Sequence, residues 1–372
     1  MARVAKQTTT YAGAGVDYSA MDPVKVLAQK SAASTGGNLA DFGATEISAS
    51  RGESAYVWEE PDAYRALVVE GLGTKNLVAD AMRGVTGRTY YDALAQDTVA
   101  MIVNDLIVVG ALPQVVNAYF ALGDGAWMND RERAGDLVNG WAAACNTIGA
   151  AWGGGETPAL KGIINPETID LGGSAIGVIN PKERLVLGDK LAAGDSIVLI
   201  ESSGIHANGI SFVRHLYEKN PKLYETKLSD SRLFGEAILT PTHLYVGLVR
   251  SVLEAGIVPH YMVNVTGHGW RKLMRASADF TYIIDKILGP QPEFELMQKE
   301  SGVDDAEMYG NFNMGVGFAI FTAPGDAERV VTEAKKQGLR AVIGGTVEAG
   351  AKEVVIKPKG LTFSGETLEV RS

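Results

Sequence analysis

Between Tyr90 and Pro113 the chain is largely apolar, and from residue 97 onward only Asp97, Asn104 and Asp105 interrupt it with strongly polar side chains. Read as an α-helix, Asp97 and Asn104 lie seven residues apart, about 20° short of two full turns, and Asp105 is the adjacent position on that face. A helix that is apolar nearly all round is normally buried. A carboxylate inside it costs several kcal/mol unless it is paired or binds a metal. Two readings are open at this point. In one, Asp97 is a helix cap and the Asn-Asp pair faces a solvent edge. In the other, the stripe holds a divalent cation. Oxygen donors with no nearby His or Cys favour magnesium, usually in company with a phosphate.

Along the rest of the chain the apolar period switches between that of strands and that of helices. The pattern predicts strands at 55–58, 66–69, 114–122, 169–179, 195–201, 318–321 and 341–344, with an edge strand at 353–356. It predicts helices at 22–31, with Asp22 as cap and Pro23 in the first position, and at 77–82, 130–148, 210–219, 243–256, 271–275 and 327–337. Residues 12–17 are glycine-rich and read as a frayed end or as an arm that orders over a ligand. A polar stretch at 180–194 divides the chain into an N-terminal domain, 1–179, and a C-terminal domain, 180–372.

Length and charge narrow the options. The 372 residues suffice for two ordinary domains. A net charge of −10 disfavours nucleic acid and anionic membranes as partners. An anionic ligand would need local lysine, glycine-rich backbone or a metal. The single cysteine, Cys145, excludes an internal disulfide framework and a cysteine-based zinc site. No apolar run approaches the ~20 residues of a membrane helix, and the start of the chain lacks the apolar core of a signal peptide. The cytoplasm is the expected location.

The glycines cluster in turns that bring backbone close to a ligand. Glu70-Gly71-Leu72-Gly73-Thr74-Lys75 follows a strand and precedes a helix, a layout that often handles phosphate, although its spacing is not that of a Walker loop. Gly153-Gly154-Gly155-Glu156-Thr157 places a carboxylate beside a triple glycine. Ser202-Ser203-Gly204-Ile205-His206-Ala207-Asn208-Gly209 adds hydroxyls and a histidine. His206 reads either as a general acid/base or as a satisfied structural histidine. The pattern lacks the elbow of a Ser-His-acid hydrolase.

Taken in order, GLGTK, QDTVAMIVNDLIVVGALP, GGGET, DLGGSAIGVI, ESSGIHANG, LTPTHLYV, VTGHG and EMYGNFNMGVG resemble the aminoimidazole ribonucleotide synthetase family, the phosphoribosylformylglycinamidine cyclo-ligases. The resemblance implies a two-domain α/β (α+β) protein whose first domain pairs with that of a second subunit in a shared barrel. It implies ATP-dependent closure of an imidazole ring on formylglycinamidine ribonucleotide through an iminophosphate, with ATP and Mg2+ as cofactors in a homodimer. By motif position, Glu70, Asp97 and Asp105 match the metal set, and Lys75, His206 and Glu156 the catalytic one. Gly71, Gly73, Thr74, Lys75, Asn104, Gly154, Gly155, Thr157, Ser203, Gly204 and Asn208 match the nucleotide- and substrate-binding set. The chain departs from the family at Glu70, where Asp is usual, at Pro158-Ala159-Leu160, at His268, and in a basic cluster thinned to Lys25 and Lys30. A kinase or synthetase of the same superfamily acting on another small substrate, and a non-catalytic nucleotide-binding paralogue, are the competing readings.

Overall fold

The computed structural model describes residues 18–368, so the glycine-rich arm at 12–17 lies outside the described residues. Two sheets organise the chain. The first contains β1 (Thr45–Glu46), β2 (Tyr56–Glu59), β3 (Tyr64–Gly71), β4 (Leu112–Leu122), β5 (Ala151–Glu156) and β6 (Ile169–Ile179), in the order β1-β2-β3-β6-β4-β5. All its pairings are antiparallel except β4 with β5. Helices α1 (Tyr18–Ala33), α2 (Lys75–Thr86), α3 (Tyr91–Ile107) and α4 (Arg131–Ile148) belong to this half.

The second sheet contains β7 (Ser196–Glu201), β8 (Tyr261–Asn264), β9 (Thr281–Ile284), β10 (Val316–Thr322), β11 (Ala341–Glu348), β12 (Glu353–Ile356) and β13 (Leu361–Ser364). Their order is β13-β12-β9-β11-β7-β10-β8, antiparallel except β12 with β9. Helices α5 (Ile210–Lys219), α6 (Phe234–Ile238), α7 (Val246–Glu254), α8 (Pro292–Ser301), α9 (Asp305–Asn311) and α10 (Ala327–Lys336) accompany it.

The apolar run that dominates the sequence is α3, and its residues from Ala93 to Ile107 are almost all sealed from water. One face of the first sheet packs on it. Along β3 the buried positions Ala66 and Val68 alternate with Leu67 and Val69, which face away. The side chain of Glu70 is in phase with Ala66 and Val68 and therefore points toward α3. Gly140 lets α4 lie close on the start of α3, since a Cβ there would meet the Asp92 backbone at 2.7 Å. Asp130 caps α4 by accepting from the Arg133 amide.

Several expectations are corrected. Helix α1 begins at Tyr18, so Pro23 falls beyond the first turn, where the ladder lacks the amide that proline cannot supply. The triple-glycine stretch is a strand rather than a loop, because β5 pairs with β4 across a bulge between Val116 and Asn117. Gly155 lies so close to β4 that a Cβ would meet the Ala118 carbonyl at 2.0 Å. The segment 353–356 is not an edge, since β13 pairs on its outer side. Residues 243–245 are irregular, and α7 begins only at Val246, because the backbone before it is bound by α3.

Candidate active site

The polar stripe of α3 faces the second half of the chain. Asp97 Oδ2 lies 2.7 Å from Lys75 Nζ, and both side chains are fully buried. Asp97 Oδ1 accepts from the Thr242 amide at 2.8 Å and from the Thr242 hydroxyl. Burial pushes the Asp97 carboxyl up, against the opposing pull of Lys75 and Thr242. Gln96 Nε2 donates to the Thr242 carbonyl at 2.8 Å. Two turns on, Asn104 donates to the His243 carbonyl at 2.8 Å and accepts from the Tyr245 amide at 3.0 Å. Asp105 accepts from Asn264 Nδ2 at 2.7 Å.

The stripe therefore stitches α3 to residues 242–245 and to the end of β8. It does not form one cation site. Asp97 and Asp105 are eight residues apart, about 12 Å along a helix axis, whereas magnesium binds oxygen at about 2.1 Å. Asp97 is also already occupied by an ammonium. Asn104, expected at the nucleotide, spends both ends of its carboxamide on backbone. Lys75, expected at a phosphate, is sealed and donates to the carbonyls of His206 at 2.9 Å and Thr240 at 3.2 Å. These are corrections to the sequence reading, with one physical cause. A buried polar group must be satisfied by protein, and residues 240–245, the His206 carbonyl and the Lys75–Asp97 pair itself supply the partners.

Glu70 and Asp105 remain as a carboxylate pair. Burial and the charge of Asp105 push the Glu70 carboxyl to about 7, while Lys272 and Arg275 pull the other way. Lys272 Nζ is buried and donates to the Asn264 carbonyl at 3.3 Å and to the Thr266 hydroxyl. Among the described residues no group of three His, Cys, Asp or Glu is placed to hold a metal ion. An ion at this pair would therefore draw its other ligands from a bound phosphate and water.

The first glycine turn lies at the carboxyl end of β3, and the triple glycine lies within β5. Gly71 to Thr74 lead into the N-terminus of α2, with Gly73 in the left-handed region at φ 72°. The Thr74 hydroxyl is buried and has no hydrogen-bond partner. The Gly71 and Leu72 amides are engaged by Glu70 and the Leu171 carbonyl, and the orphaned hydroxyl at the helix N-terminus suits an anionic oxygen. Gly154, Gly155, Glu156 and Thr157 are on the exposed far edge, where Glu156 accepts from the Thr157 amide at 3.1 Å. Glu70 is in register with Gly173, Gly173 with Ala118, and Ala118 with Gly155. Three strand steps, about 14 Å in all, separate Glu70 from Gly155. Within one chain Glu156 is not a partner of Glu70.

The 202–209 loop contributes differently from expectation. His206 is buried in the left-handed region at φ 65°. Its Nε2 accepts from the Ser203 amide at 3.1 Å. Burial, with His243 and Lys75 nearby, drives its pKa well below the usual value. With Nε2 committed to the Ser203 amide, the ring holds the turn. Ser203 Oγ donates to the Pro241 carbonyl at 2.6 Å, so it too ties loop to loop. Asn208 Oδ1 is buried without a partner. Two residues that the sequence reading missed hold this loop from behind, Asn313 and Gln291. The string FNMGVG marks the neighbourhood of Asn313, but pairings 89 to 111 residues apart leave no local pattern.

Two family models match the chain. The N-terminal domain of AIR synthase related proteins matches residues 52–179, and their C-terminal domain matches residues 192–357. The phosphoribosylformylglycinamidine cyclo-ligase of Methanothermobacter thermautotrophicus is 34% identical over 275 residues, 73% of this chain and 77% of that protein. The protein of the same name from Caldicellulosiruptor saccharolyticus is 32% identical over 361 residues, 94% of this chain and 100% of that protein. Among solved structures, the thiamine-monophosphate kinase of Stenotrophomonas maltophilia is similar with a TM-score of 0.58 at 15% identity, covering 82% of this chain and 88% of that one. That likeness is one of fold.

Proposed function

The chain belongs to the AIR synthase related family, and on that footing we propose that it is an ATP-dependent cyclo-ligase of purine biosynthesis. It converts formylglycinamidine ribonucleotide to aminoimidazole ribonucleotide, releasing ADP and phosphate. The observation that carries this reading is the identity of 32% to a named cyclo-ligase over that protein's entire length. The formyl oxygen takes the γ-phosphoryl group of ATP. The amidine-side nitrogen then attacks the activated carbon, and phosphate leaves as the ring closes with loss of a proton.

Such chemistry asks for charge neutralisation and positioning more than for a covalent nucleophile. The turn from Gly71 to Thr74 would receive ATP phosphate, with the Thr74 hydroxyl as donor. Glu70 and Asp105 would hold Mg2+, which supplies charge neutralisation at the phosphates when bound. Asp97 and Lys75 act one layer back, fixing the loops at 203–209 and 240–242 against the ATP side. Residues 1–179 then carry ATP, metal and the dimer face, and residues 180–372 complete the substrate side in a cytoplasmic homodimer. No helix among the described residues is long and apolar enough to cross a membrane.

The outer face of the first sheet supports the dimer. Val69, Ile176, Tyr119 and Val115 all point away from α3 and are 73%, 42%, 39% and 37% exposed. An apolar sheet face of this kind marks an interaction site, and a second copy presents the same face. Pairing there also offers a second sheet edge, and with it a second Glu156, to each subunit.

A coupled assay tests the reading. Phosphate release should require ATP, Mg2+ and formylglycinamidine ribonucleotide together and yield an imidazole. Release independent of the nucleotide, or none at all, rejects the cyclo-ligase. Asp105→Ala should abolish magnesium-dependent ATP binding while the dimer persists in sedimentation. ATP binding with unchanged magnesium dependence removes Asp105 from the metal role.

A further inference from the structure

The loop at 202–209 is shaped by side chains far from it in sequence. Asn313 Nδ2 donates to the Gly204 carbonyl at 2.9 Å and to the Ile205 carbonyl at 3.1 Å. Its Oδ1 accepts from the Gly315 amide at 3.0 Å and from the Ser202 hydroxyl at 3.0 Å. A backbone amide can only donate, so the Gly315 bond fixes which way the carboxamide faces. Gln291 Nε2 donates to the Ser202 carbonyl. Trp270 Nε1 holds the Asn313 carbonyl at 2.8 Å. Lys75 takes the His206 carbonyl.

The carbonyls of Ser202, Gly204, Ile205 and His206 are thus committed to side chains from three distant segments. In a trans peptide the N–H points opposite to the carbonyl it is joined to. The amides of Ile205 and His206 therefore face away from Asn313. Neither has an acceptor among the described residues. Nothing else on this loop shows the same division, in which one buried side chain sets the direction of two consecutive peptides.

We propose that Asn313 is a positioning residue for substrate binding. It touches no substrate. By holding the Gly204 and Ile205 carbonyls it fixes the direction in which the Ile205 and His206 amides are presented to the phosphoribosyl substrate. This rests on the cyclo-ligase reading above. The effect is on substrate affinity and not on the ATP side, because the Asn313 side chain binds only the 202–209 loop and the turn that begins β10.

Asn313→Asp tests it in the full-length protein. Aspartate keeps the size and both accepting contacts but turns an acceptor toward two carbonyl oxygens. The KM for the nucleotide should rise about tenfold or more, the worth of one or two hydrogen bonds. The kcat and the KM for ATP should stay within about twofold, a difference below 0.5 kcal/mol. A buried carboxyl regains a proton, and with it a donor, near neutral pH. The nucleotide KM of the variant should therefore fall back as pH is lowered, which a damaged fold would not do. Gln291→Met removes the contacts to the Ser202 carbonyl and hydroxyl and leaves those to Gly204 and Ile205, so it should give a smaller rise in the same constant, and it serves should Asn313→Asp fail to fold. An unchanged nucleotide KM, or kcat and both KM values worsening together, overturns the proposal. Calorimetry with ribose 5-phosphate separates it from the functional reading. If the parent protein does not convert the nucleotide, the cyclo-ligase reading falls. Weaker ribose 5-phosphate binding by Asn313→Asp than by the parent then still supports the positioning role, and equal binding rejects it.

Discussion

Lys75 and Asp97 show how one buried pair can carry several contacts. The ammonium reaches Asp97 and two carbonyls from the other half of the chain. Removing only the cation strands a carboxylate in a dry site, which costs on the order of 3–5 kcal/mol. Lys75→Met should lower the urea midpoint accordingly, and Lys75→Met with Asp97→Asn should regain most of the loss. Equal midpoints for the single and double variants would show that the pair carries no coupling. Glu293 poses the opposite problem. It is fully buried and neither oxygen has a hydrogen bond, with Arg232 Nη2 3.6 Å away. Burial pushes its carboxyl from 4.5 to about 7. The folded chain therefore holds this proton more tightly than the unfolded one. The associated stability is fully present below the unfolded value and is lost as pH rises through the folded one. Glu293→Gln has nothing to lose over that window. Its stability relative to the parent should grow between about pH 5 and pH 8, by roughly 3 kcal/mol at most. Parallel pH profiles in chemical denaturation would contradict this.

At the scale of elements, α3 was the most legible part of the chain and the most easily misread. Its burial and the placement of its polar residues on one side follow from period alone, whereas its end at Ile107, inside an apolar run that continues into β4, does not. Nor does what the stripe binds. Thr242 lies 145 positions from Asp97, and Asn264 lies 159 from Asp105. Periodicity reports which face is polar but carries no information about a partner at that separation. The same limit explains Lys75. A lysine after a glycine turn has the composition of a phosphate site, and only the fold reveals that its ammonium is turned inward. Glu70 and Asp105 kept their expected proximity because strand alternation and helix period each pointed them into the same layer. The stitching itself is open to test. Asn104→Leu removes the bonds to His243 and Tyr245 and leaves two backbone groups unmatched, a loss of roughly 2–3 kcal/mol. Hydrogen exchange should quicken at 240–245 while α4 stays protected. Unaltered exchange there would mean that Asn104 does not hold the segment.

The whole molecule is arranged around two faces of the first sheet. The inner face is closed by α3 and by the second half of the chain, and the outer face is left apolar and open. Val69→Glu with Ile176→Glu should yield a folded monomer in sedimentation, with circular dichroism unchanged. A parent protein that sediments as a monomer would remove the dimer from the functional reading.

The stitched helix has a consequence for the order in which the chain can be completed during synthesis. By the time residue 179 has left the ribosome, α3, the strands that flank it and the Lys75 partner of Asp97 are available, but the groups that satisfy Gln96, Asn104, Asp105 and the second oxygen of Asp97 are not. They arrive with residues 242–264. The first half must wait, with its central helix polar on one side and unmatched, until more than sixty further residues have been added. Fragments cut at the domain boundary, or chimaeras that join halves from different relatives, inherit that mismatch at their core.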